Sequence, residues 1–179
     1  MSTRLVILAL LQSKPLYGYE LKQIIEKDMG DWTSIAFGSI YFALARLSRN
    51  GFVEKTGEEK LGNRPSRSVY RITEKGREEF IKLLRETWNK FEREYYPLDV
   101  ALAFSGSLPA DEIKGYLQKR IDILARIIGH LEKHKREQMS KPDIPKLAGK
   151  VFTHTEYHIK AEMEWLQSVL EGFNSEELP

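Results

Sequence analysis

The hydrophobic positions along the chain change period several times, and each change marks an element. Leu5, Val6, Leu8, Ala9 and Leu11 form a short helical run that stops at Ser13–Lys14–Pro15, because proline disfavours helical backbone in the residue before it. Tyr17–Gly18–Tyr19–Glu20 opens a second helix whose apolar face is Leu21, Ile24, Ile25 and Met29, closed by Gly30–Asp31. After a turn region with Thr33 and Ser34 as candidate caps, a third helix is predicted from Ser39 to Asn50. Its Ile40, Leu44 and Leu47 share one face, and Asn50–Gly51 is a stop that tolerates positive φ. From Phe52 to Thr56 the pattern reads as a strand, from Gly57 to Pro65 as an exposed polar loop, and from Ser68 to Ile72 as a second strand. The two strands make a β-hairpin wing.

Thr73 caps a long helix expected over 74–95, with Phe80, Leu84, Trp88, Phe91 and Tyr95 along one stripe. Pro97 breaks it, and Leu98–Phe104 is short and apolar, one or two helical turns. Ser107 or Asp111 is placed near the cap of a helix running to Met139. Its Leu117, Ile121, Leu124, Ile128 and Leu131 alternate steps of four and three, a coiled-coil-like seam. A connector at 140–145 leads to a final helix over 146–173, where Ile159, Met163, Leu166, Leu170 and Phe173 repeat the same spacing. The pattern predicts a mainly α fold with a small β-hairpin. Residues 1–96 form an N-terminal winged helix-turn-helix that includes the long linking helix, and residues 97–179 a C-terminal α-helical dimerisation domain. The 159–173 seam is the candidate for pairing with a second copy, and the 117–131 seam packs either internally or across the dimer.

Charge sharpens this reading. The whole chain carries only +2, but between Arg46 and Arg77 nine Lys or Arg stand against four Glu, a local +5. A charge concentrated beside a recognition helix suits a phosphate backbone, although a solvated mixed-charge surface gives the same count. By periodicity Ser39, Phe42, Arg46 and Arg49 project away from the core face of the third helix. Arginine can bond guanine O6 and N7 together or clamp a phosphate, and serine can hold a phosphate at a helix start. The wing presents Lys60, Arg64 and Arg67, with Asn63 at its tip. Ser34 in the turn, and Tyr17 and Tyr19 at the start of the second helix, are further candidates for the DNA backbone. Core packing of the two tyrosine rings is the competing reading.

Other chemistry is scarce. The absence of cysteine excludes disulfides, thiolate zinc sites and cysteine nucleophiles. The lack of cysteine also fits a cytoplasmic setting, and the apolar run Leu5–Leu11 is too short to span a bilayer, so no membrane partner is expected. No catalytic triad, phosphate-binding glycine loop or carboxylate pair stands out. The chain is therefore not expected to be an enzyme, and no cofactor or metal is assigned. The four histidines do form two i, i+4 pairs, His130 with His134 and His154 with His158. If the last two helices run antiparallel, four imidazoles could meet at a metal; otherwise they are polar flanks of the seams. Trp32, Trp88 and Trp165 are read as core or interface anchors before effector-pocket walls.

Three sequence blocks carry a resemblance. Leu8–Ala9–Leu10–Leu11 with Pro15–Leu16–Tyr17–Gly18–Tyr19–Glu20–Leu21 is the first. Ser39–Ile40–Tyr41, Leu44–Ala45–Arg46–Leu47 and Asn50–Gly51–Phe52–Val53 form the second. The third is Arg67–Ser68–Val69–Tyr70–Arg71–Ile72–Thr73–Glu74–Lys75–Gly76–Arg77. In order and spacing they resemble PadR-like transcriptional regulators over about residues 3–80. The remainder more loosely resembles the subgroup with a long helical C-terminal arm. The resemblance implies a homodimeric, usually repressing regulator on a near-palindromic operator in double-stranded DNA. It also implies a small hydrophobic or aromatic effector in some members. Tyr41, shared with the family block, is either a phosphate contact or a half-buried ring packing its helix. Phe42 departs from the family, where many relatives carry proline. Two other classes stay open: a winged-helix protein-interaction module without DNA binding, and a metal or small-molecule sensor.

Overall fold

The computed structural model describes residues 3–31, 33–59, 67–142, 144 and 147–175. Its contacts divide the chain into two compact units, 1–92 and 93–179, against a boundary expected at 96. Among the described residues of the first unit, the elements are α1 (Thr3–Leu10), β1 (Leu16–Tyr17), α2 (Gly18–Asp28), α3 (Phe37–Arg49), β2 (Val53–Glu59), β3 (Arg67–Ile72) and α4 (Glu74–Asn89). The second unit contains α5 (Pro97–Ala103), a 3-10 turn at Ser105–Ser107, α6 (Ala110–Met139) and α7 (Ala148–Asn174).

In the first unit the strands form one antiparallel sheet in the order β1-β3-β2. Strand β1 was not anticipated. The pattern opens the second helix at Tyr17, because two residues are too few to show an alternating pattern. Leu16 and Tyr17 pair instead with Tyr70 and Val69 and hold the start of α2 against the wing. Strands β2 and β3 pair from Val53↔Ile72 outward, with a bulge between Lys55 and Gly57. The core is built from α1, α2 and α3 and closed by the base of the hairpin. Ile7, Leu8, Leu21, Ile40, Leu44 and Leu47 are wholly inaccessible to water. Full burial of each such side chain contributes about 1.5–3 kcal/mol.

Two junctions explain why α3, the wing and α4 hold a fixed arrangement. At the end of α3 the Gly51 N–H donates to Ser48 O and the Phe52 N–H to Leu47 O. Gly51 takes φ +73°. This is a Schellman ending, which satisfies the last carbonyls of the helix and turns the chain into β2. At the start of α4, Thr73 Oγ1 accepts the Gly76 N–H at 3.0 Å and donates to Gly51 O at 2.7 Å. Gly76 sits so close to the hairpin base that a Cβ there would lie 2.0 Å from Phe52 O. Lys75 donates to Asn50 O, and Arg77 to the carbonyl and side-chain oxygens of Gln12. Much of the third family-like block is thus fastening, and these two cations are engaged by the protein itself.

Helix α4 ends at Asn89 rather than 95. The Asn89 amide donates back to Arg85 O, Lys90 is extended, and Pro97 excludes helical backbone at Tyr96. Phe91 and Tyr95 therefore lie outside the helix on which they were expected. The buried line of α4 runs through Gly76 and Leu83, with Phe80 half-buried, and Trp88 is 84% exposed instead of anchoring a core.

In the second unit α6 and α7 pack antiparallel, with Arg120 on Glu162 at 2.8 Å and Lys135 on Glu156 at 3.6 Å. The N-cap of α6 is Pro109, not Ser107 or Asp111. Asp111 and Glu112 instead occupy its first turn, where negative charge complements the helix dipole. Ile113, Leu117 and Ile121 form one cluster with Leu166, Val169 and Phe173. The α7 seam expected to pair with another subunit is thus largely occupied inside the chain. Leu166 and Phe173 are buried there, Met163 and Leu170 pack on the cluster, and Ile159 is half-buried. No described helix is long and apolar enough to cross a membrane.

Candidate nucleic-acid interface

Helix α3 buries one face completely and presents the opposite face to water. Ile40, Ala43, Leu44 and Leu47 point into the core. At 100° per residue, the positions facing directly away from them are Gly38, Phe42, Ala45 and Arg49. Tyr41 and Ser48 flank this line on one side, Ser39 and Arg46 on the other. All are exposed except Ser39, which is half-buried. Ser39 donates its hydroxyl to Ala36 O at 2.6 Å, so it shapes the first turn and keeps only acceptor capacity. Ala36 caps α3 without a side-chain bond, and the Ser39 N–H closes the first turn on Ala36 O at 3.0 Å.

The helix begins two residues earlier than expected, and this brings in a side chain the sequence reading missed. Phe37, 51% exposed, meets Tyr41 edge-on at 5.1 Å between centroids, and Lys22 of α2 holds its ammonium 4.5 Å above the Phe37 ring. The signal was available: Phe37 and Tyr41 are four apart, as are Gly38 and Phe42. Tyr41 serves packing and surface together. Its ring limits the space at Gly18, where a Cβ would stand 3.0 Å from Tyr41 Cε1, yet it remains 40% exposed.

Tyr17 and Tyr19 stack at 5.7 Å beside the start of α2. The Tyr17 N–H donates to the Glu20 carboxylate at 2.8 Å, so Glu20 covers that end of the helix. Tyr17 is half-buried and Tyr19 38% exposed. Ser34 lies exposed in the turn before α3, and Arg46 and Arg49 lie exposed in its second half. Of the wing residues, Lys60, Asn63 and Arg64 fall outside the described residues, as does Trp32. Arg67 is fixed in backbone register opposite Glu59 at the outer end of the hairpin.

The second unit brings the histidines together only in pairs. His154 and His158 place their Nε2 atoms 3.1 Å apart, and His134 is buried edge-on against Phe152 at 5.4 Å with Gln138 on its Nε2. Among the described residues no metal-holding cluster unites the two pairs. A cleft of about 280 Å³ between α5 and α6 is lined by Leu98, Leu102, Leu108, Ile113 and Ile123, with Lys119 and Arg120 at its edge. Trp165 borders a second cleft of similar size with Tyr96, Asp99, His158 and Glu162.

This winged helix-turn-helix has counterparts. Residues 7–82 match the transcriptional regulator PadR-like family. The match covers the winged helix-turn-helix of the first unit, and the family it points to is one of transcriptional regulators. No curated protein sequence shows significant similarity to the chain. Among solved structures, Bacillus subtilis PadR in complex with operator DNA aligns over 95% of this chain and 98% of its own, at 21% identity and a TM-score of 0.81. The same regulator in complex with p-coumaric acid aligns over 96% and 98%, at 20% and 0.80. The PadR-like transcriptional regulator BC1756 from Bacillus cereus aligns over 98% and 99%, at 24% and 0.75. These likenesses extend the shared fold through the helical C-terminal unit.

Proposed function

We propose that the protein is a sequence-specific DNA-binding transcriptional regulator, acting in the cytoplasm as a homodimer and repressing from a near-palindromic operator. Residues 1–96 are the DNA-binding part and 97–179 the dimerisation part. The observation that carries the proposal is the outward face of α3. A helix whose opposite face is wholly buried presents Phe42 and Arg49 centrally, with Arg46 and Tyr41 beside them, in a domain of the PadR-like family. Such a helix enters the major groove, and the wing, with Lys60, Arg64 and Arg67, tracks the flanking backbone.

Dimerisation is supported by apolar surface in the second unit. Val100 is 61% exposed, Phe104 75%, Tyr116 58% and Ile127 43%, more than a small helical unit normally leaves in water. The pairing surface is assigned to these side chains. The cleft at Leu98, Leu102 and Ile113 suits a small hydrophobic or aromatic effector, its anionic group meeting Lys119. The p-coumaric acid complex of Bacillus subtilis PadR is consistent with that ligand class.

The test separates base reading from backbone attraction. Arg46→Ala removes a base contact and should lower discrimination between operator and random DNA by about 1–3 kcal/mol. Arg64→Ala removes a phosphate contact and should weaken both alike, with a flatter salt dependence. Equal loss of discrimination in both variants would overturn the division of roles. Unchanged regulation in both would favour a protein-interaction module.

A further inference from the structure

We infer that Phe42 is a specificity-determining residue that reads the 5-methyl group of thymine, so that the operator carries a thymine at a fixed position in each half-site. The inference rests on the reading of α3 as the groove-facing helix and goes beyond it by naming a base and the atom recognised.

The outward line of α3 is poor in hydrogen-bonding side chains. Gly38, Phe42, Ala45 and Arg49 contain one hydrogen-bonding side chain among four, and neither Asn, Gln, Asp nor Glu occurs anywhere in α3. Adenine is normally read by Asn or Gln and cytosine by Asp or Glu, so this helix has no such reader for either. Arg46 and Arg49 suit guanine or phosphate. What remains at the centre of the face is apolar, and the one apolar group a major groove offers is the thymine methyl.

The position of the ring fits that role. Phe42 is 72% exposed, the most exposed large apolar side chain on α3. Helical side chains lean toward the N-terminus, so Phe42 extends over the turn that contains Gly38. A Cβ built at Gly38 would meet nothing within 4 Å. With Gly38 before it and Ala45 after it on the same line, the ring stands as a single projection between two low points, and a base edge can approach it. Phe37 and Tyr41, with the Lys22 ammonium over the Phe37 ring, form a separate aromatic pair along the same helix. Phe42 contributes nothing to the buried cluster of its unit, so its exposure is not a by-product of core packing.

The experiment uses the full-length protein and a library of random duplex DNA. Selection should enrich a site with a thymine at a constant position in each half. Each constant thymine is then replaced by deoxyuridine, which removes the methyl and leaves the O4 acceptor and the pairing unchanged. One methyl removed from an apolar contact corresponds to roughly fourfold weaker binding, and to about fifteenfold when both half-sites are altered. In Phe42→Ala, whose substitution lies on the surface and keeps helix propensity, the thymine and deoxyuridine duplexes should bind equally. Three results would overturn the inference: a selected site without constant thymines, a wild-type protein indifferent to deoxyuridine, or a Phe42→Ala protein with an undiminished thymine preference. Selection of no sequence at all, by protein shown to be folded, would overturn the DNA-binding reading as well, which keeps the two failures distinct.

Discussion

The two units of this chain hold themselves together in different ways. The first has a core drawn from three helices, the hairpin base and the middle of α4, with six side chains wholly removed from water. The second packs α6 against α7 around one smaller cluster, with Leu98 and Leu102 of α5 laid against it. It leaves Val100, Phe104, Leu108, Tyr116 and Tyr157 between 47% and 75% exposed. A unit that closes its own core can carry a rigid recognition helix. The difference separates the two proposed tasks: DNA reading falls to the fold with the larger closed core, and assembly with a second copy to the unit with the smaller one.

The contrast can be broken most severely inside the first unit. Leu44→Ala removes a fully buried side chain behind the recognition helix and should cost about 2–5 kcal/mol, measured by urea denaturation, with DNA binding lost in proportion to the unfolded fraction. Gly76→Ala forces a methyl against Phe52 O and should cost about 1–3 kcal/mol. It would also displace α4 from the wing, visible as altered hairpin resonances. A normal denaturation midpoint for Gly76→Ala would contradict the fastening described at that junction.

For the second unit the expected signature is a dependence on concentration. Dimerisation stabilises by mass action, so the melting temperature of the full chain should rise between 1 and 100 µM, as an order of magnitude for the range. A midpoint independent of concentration, with a monomer in sedimentation, would remove the contrast between the units. Thr73→Ala comes next, with the loss of an N-cap worth about 1 kcal/mol and no change in assembly.

The smallest effect concerns acid. The Lys160 ammonium, hydrogen-bonded to Glu156, holds that carboxyl below the ordinary carboxylate range; burial opposes this, and Lys135 across the helix pair adds to it. The folded value is depressed, so the stabilisation is present above the ordinary carboxylate range and is lost as pH falls through the lowered value. Glu156→Gln should therefore remove a slight acid sensitivity of the α6–α7 pair without changing its midpoint ordering among the other variants.

Much of the first unit was legible because its signals are local. Ile40, Leu44 and Leu47 repeat at helical spacing, Asn50–Gly51 supplies the left-handed ending, and Thr73 supplies the cap. Each acts through neighbours within a few residues. Strand β1 was not legible, because Leu16 and Tyr17 become a strand only through pairing with Val69 and Tyr70, more than fifty positions away. The end of α4 was misread because the apolar spacing continues through Phe91 and Tyr95 while the backbone does not. The α7 seam shows the limit of periodicity most clearly. Steps of four and three announce that Leu166 and Phe173 face another helix, but spacing carries no information on whether that helix belongs to the same chain. For the interface, charge counting drew attention to Arg46 and Arg49. The Phe37–Tyr41 spacing of four was there to be seen, but it gains meaning only once α3 is known to begin at Phe37.

The central claim is that α3 reads DNA in a dimer, and a mobility-shift titration tests it most directly. The DNA is taken from immediately upstream of the protein's own gene and from a genome-fragment selection, at physiological salt, with scrambled duplex as competitor. The account predicts a competitor-resistant complex of two chains per duplex, lost in a folded Arg46→Ala/Arg49→Ala variant. A folded, dimeric wild-type protein that retains no sequence from either source would contradict it.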